Sequence, residues 1–264
     1  MRLGRFSQDA SGTRNSISSD QTEVFMTDYT LYYWPLPFRG QFIRSVLAHV
    51  DASWTEGSLD DLIAIKSADP AEQIVPHMGP PVLTDHSASV SLAQTQAILT
   101  YLGTKHELIP QDPVRAALTA KLIADANDVL AEMTLHNGAQ MWTKKSWNAY
   151  RPRLARWMTI FEEHGRRHGL TTHAGHVLGT AAPSLADFVV HILWGTMTAK
   201  LPALRPMLET TAPAIAALSD RISQLSEQAA LRARSDAQYG NEWCSGQIEA
   251  SLRSVIRGHP PQSS

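Results

Sequence analysis

At Pro110 and Pro113 the hydrophobic pattern of the chain changes period. Upstream, short β-favouring runs take turns with helical ones. Downstream, strand-like alternation all but disappears and long 3.6-residue patterns take over. Such a chain folds as a small mixed α/β domain joined through a proline-containing linker to an all-α domain.

In the first part, "TLYYW" (30–34) is a short strand, and Pro35 and Pro37 prevent it from continuing as sheet interior or helix. Phe42, Val46, Leu47 and Val50 then recur at helical spacing from Gln41 onward, with Arg39 and Gly40 at the entrance. "SWTEGS" (53–58) predicts a second strand, and residues 59–75 a weak helix interrupted at Pro70. "PVL" and "SVSL" form a hairpin around the polar turn "TDHSA", and "QTQAILTYLG" a helix ended by Gly103. The expected order is β, α, β, α, β, β, α.

In the second part, Leu118, Leu122, Val129, Leu130 and Met133 make one apolar stripe, and Leu154, Trp157, Met158 and Phe161 another. "APSLADFVVHILW" opens with Ser184 and Asp187 at capping-box spacing, ahead of a helix apolar nearly all round. That helix belongs at the centre of the all-α domain. Further helices are expected over 212–225 and 241–256. Residues 1–26 are polar and Ser-rich, which predicts a disordered tail with Met26 as an alternative start; "RGHPPQSS" predicts a frayed end.

A formal charge of -2, with 18% charged residues, argues against a nucleic-acid or other polyanionic partner. The single cysteine, Cys244, precludes an internal disulfide and a CxxC redox pair, which fits a reducing, cytoplasmic compartment. No apolar run approaches the roughly 20 residues of a membrane span, and no secretory signal core is present. His164, His168, His173 and His176 fall close together, but "HGLTTHAGH" reads as a polar surface connection, so no metal is expected. Cys244 has no adjoining basic residue and reads as a small packed side chain.

Over most of residues 29–250 the chain resembles the glutathione transferase family. The stretch "YTLYYWPLPFRGQFIR" lies without gaps on the first strand, loop and helix of its tyrosine-type members. "PVL" followed by "LAQTQAILTYLG" resembles the family's cis-proline strand and Gln-Ser signature. The resemblance implies a thioredoxin-like α/β domain over 27–105 that binds glutathione, and an all-α helical-bundle domain over 114–257. It also implies glutathione as co-substrate, a small hydrophobic electrophile as second substrate, no metal, no nucleic acid or membrane partner, and a homodimer.

By the same resemblance Tyr33 is the catalytic tyrosine, with Tyr32 or Tyr29 in its place should the register slip. Its chemistry has an independent physical basis. A thiol of pKa near 8.5 is only about 3% thiolate at neutral pH, and the thiolate is the nucleophile. A phenol O–H aimed at sulfur, together with a helix N-terminus, favours the anion. Lowering the thiol pKa by about two units corresponds to roughly 2.7 kcal/mol.

The resemblance further assigns Arg39 to bound water or a glutathione carboxylate, and Gln94 and Thr95 to the γ-glutamyl end. Lys66 is the expected clamp for the glycyl carboxylate. Asp128 is the acid that reaches a neighbouring subunit's glutathione. Trp34 and Leu36, with Met133, His136 and Met141, are expected to line the electrophile pocket. Pro81 is the expected cis-proline. Before it stands Pro80, where the family uses a backbone N–H that proline lacks. One lost hydrogen bond, worth about 0.5 to 1.5 kcal/mol, weakens affinity roughly two- to thirteen-fold. Two alternatives stay open: a non-catalytic transferase-like binding module, and a specialised glutathione-dependent lyase or dehalogenase.

Overall fold

A computed structural model describes residues 27–256; the expectations for residues 1–26 and for the last eight residues lie outside that range. Four short strands form one mixed sheet: β1 (Tyr29–Tyr32), β2 (Trp54–Glu56), β3 (Val82–Asp85) and β4 (Val90–Ala93), in the order β2-β1-β3-β4. β1 runs parallel to β2, pairing Tyr29 with Trp54, and antiparallel to β3, pairing Leu31 with Leu83. β3 and β4 form the expected hairpin, with Leu83 opposite Leu92. Asp85 fastens its turn by accepting from the Ser87 hydroxyl, the Ala88 N–H, the Tyr101 hydroxyl and the Lys105 ammonium.

On the sheet lie α1 (Phe38–His49) and α3 (Thr95–Lys105), while α2 (Leu59–Ser67) is anchored by buried Leu62. α1 buries Phe42, Ile43, Val46 and Leu47, the apolar set that its periodicity predicts. α1 begins three residues before Gln41. α3 does not stop at Gly103: the glycine lies inside the helix because a Cβ there would stand 2.6 Å from Leu185 Cδ2 and 2.9 Å from Ile109 Cγ1. It is a close-packing position rather than a cap.

The chain then becomes helical throughout. α4 (Pro113–Met133) starts with Pro at its first position, and the Asp112 carboxylate accepts the Arg115 N–H at 2.8 Å. A tight turn, α5 (Leu135–Gly138), leads to α6 (Lys144–Arg167), which opens on a Thr143/Ser146 capping box. α7 (Leu185–Val190) has all six residues buried. Its Asp187 carboxylate accepts the Ser184 N–H and hydroxyl, both at 2.8 Å, and the Val177 N–H at 2.8 Å. The helix continues as a π-helical segment, His191–Thr196, and then as α8 (Met197–Lys200). α9 (Arg205–Thr211), α10 (Pro213–Ser223), α11 (Ser226–Tyr239) and α12 (Gly246–Ile256) complete the bundle.

The two halves share one continuous hydrophobic core, in which Phe38 and Leu47 join Val129, Phe188 and Trp243. Polar links reinforce the junction: Ser45 and Gln228 exchange two hydrogen bonds at 2.7 and 2.9 Å between α1 and α11. α11 was not expected from the sequence. Its buried residues are Gln228, Leu231 and Ser235, so the face turned inward carries one apolar residue and no hydrophobic stripe.

Candidate functional site

The loop between β1 and α1 brings the first group into place. β1 ends at Tyr32, and the two prolines carry the chain round so that Tyr33 points back at the start of α1. The Arg39 N–H donates to the Tyr33 hydroxyl oxygen at 3.1 Å, satisfying one of the otherwise unpaired donors of the first helical turn. Close approach of the ring requires Gly40, where a Cβ would lie 2.4 Å from Tyr33 Cδ1. The other tyrosines of the stretch are elsewhere. Tyr29 lies in the core with its hydroxyl 3.0 Å from His106 Nε2, and Tyr32 is half-buried at the end of the strand.

Tyr33 is 6% exposed. Burial pushes its pKa up to about 12, against the opposing pull of the Arg39 charge and N–H. The phenol therefore keeps its proton at neutral pH. Its oxygen accepts from Arg39, so that proton is free to be donated outward.

Arg39 extends from the same helix start toward the bundle. Its Nη1–H donates to Asn137 Oδ1 at 3.1 Å and its Nε–H to Asn127 Oδ1 at 3.5 Å, and the guanidinium sits 4.7 Å from the Phe38 ring centre. Both partners are neutral amides, so the positive charge is not cancelled by these contacts. Burial lowers its pKa, leaving it a guanidinium at any ordinary pH. Asn127 lies on α4, and Asn137 sits in the α5 turn with φ of 60°. Neither asparagine was expected. The "HNG" sequence was the available signal for Asn137, since Asn tolerates the left-handed conformation.

The second cluster is at the cis end of β3 and the start of α3. The Pro80–Pro81 peptide is cis; Pro81 is buried and Pro80 half-buried. Gln94 is exposed with φ of 75°, a non-glycine residue in the left-handed half of backbone space, and Thr95 next to it is buried at the first position of α3. Strained backbone of this kind concentrates at binding sites. Lys66 is exposed on α2 and Asp128 exposed on α4.

The electrophile-pocket expectation fares less well. Trp34 is half-buried and Leu36 is 9% exposed, its carbonyl accepting from Arg44 Nη1 at 2.9 Å. Met133 is fully buried, because its stripe faces the bundle core, and its carbonyl accepts from Trp142 Nε1 at 2.9 Å. It offers no surface to a ligand. His136 and Met141 are exposed. The segment before α12 packs against the start of α1: the Phe38 N–H donates to the Trp243 carbonyl at 3.2 Å, and the two rings stand edge to face with centroids 5.1 Å apart. Cys244 follows. Burial, and next the Glu249 carboxylate, raise its pKa, so its thiol is not a nucleophile at neutral pH.

Arg44, also unanticipated, holds this end of the domain together. It is 2% exposed, and its guanidinium makes a two-pronged ion pair with Glu56 at 2.8 and 2.9 Å, joining α1 to β2. Among the described residues no three His, Cys, Asp or Glu side chains form a metal-ligand group. No described helix is long and apolar enough to cross a membrane.

Residues 118–255 match the family model described as glutathione S-transferase, C-terminal domain. The fold is similar to that of a Pi-class glutathione S-transferase from Onchocerca volvulus, with a TM-score of 0.63 and 18% identity, covering 80% of this chain and 94% of that one. It is also similar to the structure of NaGST-2, with a TM-score of 0.62 and 17% identity, covering 83% of this chain and 100% of the other. No curated protein matches the sequence.

Proposed function

Because the chain belongs to the glutathione S-transferase family, its C-terminal domain matched over 118–255, we propose that it transfers glutathione to a small hydrophobic electrophile. Glutathione lies along the cis end of β3 and the start of α3. Gln94 and Thr95 meet the γ-glutamyl end, Lys66 meets the glycyl carboxylate, and the Pro80 carbonyl remains as an acceptor for the cysteinyl N–H. The thiol loses its proton to solvent, and Tyr33 donates its O–H to the sulfur anion. The sulfur lone pair then forms the new C–S bond, and the leaving group, or the π-electron pair of an acceptor double bond, takes the displaced electrons. Arg39, held by Asn127 and Asn137, adds positive potential beside the sulfur.

The observation that supports this most directly is the Tyr33 hydroxyl at the N-terminus of α1. It is protonated, already accepting from Arg39 at 3.1 Å, and free to donate. The reading also carries a homodimer, in which Asp128 of one subunit faces the other's glutathione, and a cytoplasmic location in detoxification chemistry.

A second reading rests on a different observation. Tyr33 is almost wholly buried, and Pro80 has no N–H to offer, as expected of a fold retained for binding rather than catalysis. Retention on immobilised glutathione, combined with turnover of a chromogenic aryl halide, separates the two. Retention with turnover supports the transferase. Retention without turnover supports the binding module, and neither would remove glutathione from both.

A further inference from the structure

Away from the glutathione face, a cavity of about 320 Å³ opens between α1, the π-helical segment, α8, α10 and α11. Its volume is at the lower end of the roughly 300–1,000 Å³ range of small-molecule sites. Polar side chains interrupt its wall where a helical bundle would ordinarily close with apolar ones alone.

Four residues that line it hold buried side-chain atoms without a hydrogen-bond partner: Gln41 Oε1, His191 Nδ1, Ser219 Oγ and Ser235 Oγ. They are 3%, 8%, 1% and 4% exposed. Each such atom costs about 1–3 kcal/mol if it stays unpaired, and four in one wall is a concentration that bundle stability does not explain. The π-helical segment makes up part of the same wall. Its Gly195 leaves room for His191, since a Cβ there would lie 2.9 Å from Nδ1. Widened helical turns of this kind are frequent at functional sites.

The chemistry of the wall selects the ligand. An amide oxygen such as Gln41 Oε1 can only accept, so the ligand must bring a hydroxyl or N–H. The two serine hydroxyls donate or accept. Three cationic side chains line the cavity, Lys200, Arg205 and Arg232, against two carboxylates, Asp220 and Asp236. Lys200 is held by Asp236 at 2.6 Å, and Arg205 by Glu209 and Asp220 at 2.8 and 2.6 Å. Arg232, exposed on α11, has no ion pair among the described residues.

We propose that this cavity is a second binding site, separate from the glutathione site, for a small polyhydroxylated monoanion of the sugar-acid class. The carboxylate pairs with Arg232 at the rim, and rotation of the buried side chains turns their unpaired groups toward the ligand's hydroxyls. The site does not depend on the glutathione-transfer reading, because none of its residues belongs to the Tyr33 cluster.

Isothermal titration and thermal shift with sodium gluconate, in the presence of saturating glutathione, test it. Gluconate is expected to bind saturably at one site per chain and to raise the midpoint as its concentration rises. Sorbitol, with the hydroxyls but no charge, and hexanoate, with the charge but no hydroxyls, are each expected to bind at least tenfold more weakly. Arg232→Gln is expected to weaken gluconate at least tenfold without lowering the ligand-free midpoint, and Ser235→Ala to weaken it several-fold. Absence of saturable gluconate binding would overturn the proposal. So would binding unchanged in both variants, or hexanoate binding as tightly as gluconate. Loss of glutathione retention with gluconate binding intact would count against the transferase reading alone.

Discussion

Phe38 and Trp243 meet across the two halves of the chain, backbone N–H to carbonyl at 3.2 Å and ring edge to ring face at 5.1 Å. Trp243 is 2% exposed, so this contact closes the core between the two halves. Trp243→Ala is expected to cost about 3–5 kcal/mol, the range for deleting a buried large aromatic side chain. Urea unfolding measures it; a loss under 1 kcal/mol would show that the segment before α12 does not hold the two halves together.

Tyr33→Phe separates helix capping from catalysis. The change removes one hydrogen-bond acceptor at Arg39, worth about 0.5–1.5 kcal/mol of stability. Under the transferase reading it also lowers kcat toward an aryl halide at least tenfold while glutathione affinity changes little. An unchanged kcat would leave the hydroxyl with the structural role only.

Gly103→Ala sets helix propensity against packing. Alanine gains about 1 kcal/mol as a helix former, but its Cβ meets buried Leu185 at 2.6 Å, and overpacking costs about 1–3 kcal/mol. A net destabilisation of about 1 kcal/mol is expected in urea; a stabilised variant would mean that Leu185 moves aside freely.

Glu56→Ala leaves the Arg44 guanidinium buried without its counter-charge. Breaking a fully buried pair costs about 3–5 kcal/mol; with Glu56 about a third exposed, roughly 2 kcal/mol is expected. Denaturant midpoints compared with Arg44→Met, which removes the charge instead, check the cause: the methionine variant should be no less stable than the alanine one.

Acid stability is expected to depend on His191. Burial holds its pKa at about 4, below the ordinary 6.5, with Arg232 adding to the effect and Asp220 and the Ser219 backbone opposing it. The unfolded chain takes up the proton first. Stability is therefore full above pH 6.5 and declines as the pH falls toward 4, by about 3 kcal/mol for this one group. His164, also held at about 4 chiefly by burial but only partly buried and screened by solvent, adds a smaller decline. His191→Gln should remove the larger part of this pH dependence between pH 7 and 4.5 in urea titrations; an unchanged slope would assign it elsewhere.

The change of period at Pro110 and Pro113, the four strands, the Ser184–Asp187 cap and the nearly all-apolar, fully buried α7 were legible because each rests on residues a few positions apart. Backbone preference, side-chain periodicity and turn chemistry act over that range. So was the placement of Tyr33 before a helix start. Other features depended on what the chain meets at a distance. Gly103 reads as a helix end until Leu185 arrives beside it. Met133 reads as a possible pocket residue until α4 turns it into the core. α11 has no apolar stripe to announce it, although Gln228 binds Ser45 and Ser235 is buried in a cavity wall. The Phe38–Trp243 contact, the amide partners of Arg39 and the second cavity exist only after the two halves dock. Burial and hydrogen-bond partnership are properties of the packed neighbours, and local periodicity carries no information about which distant residue fills a given space.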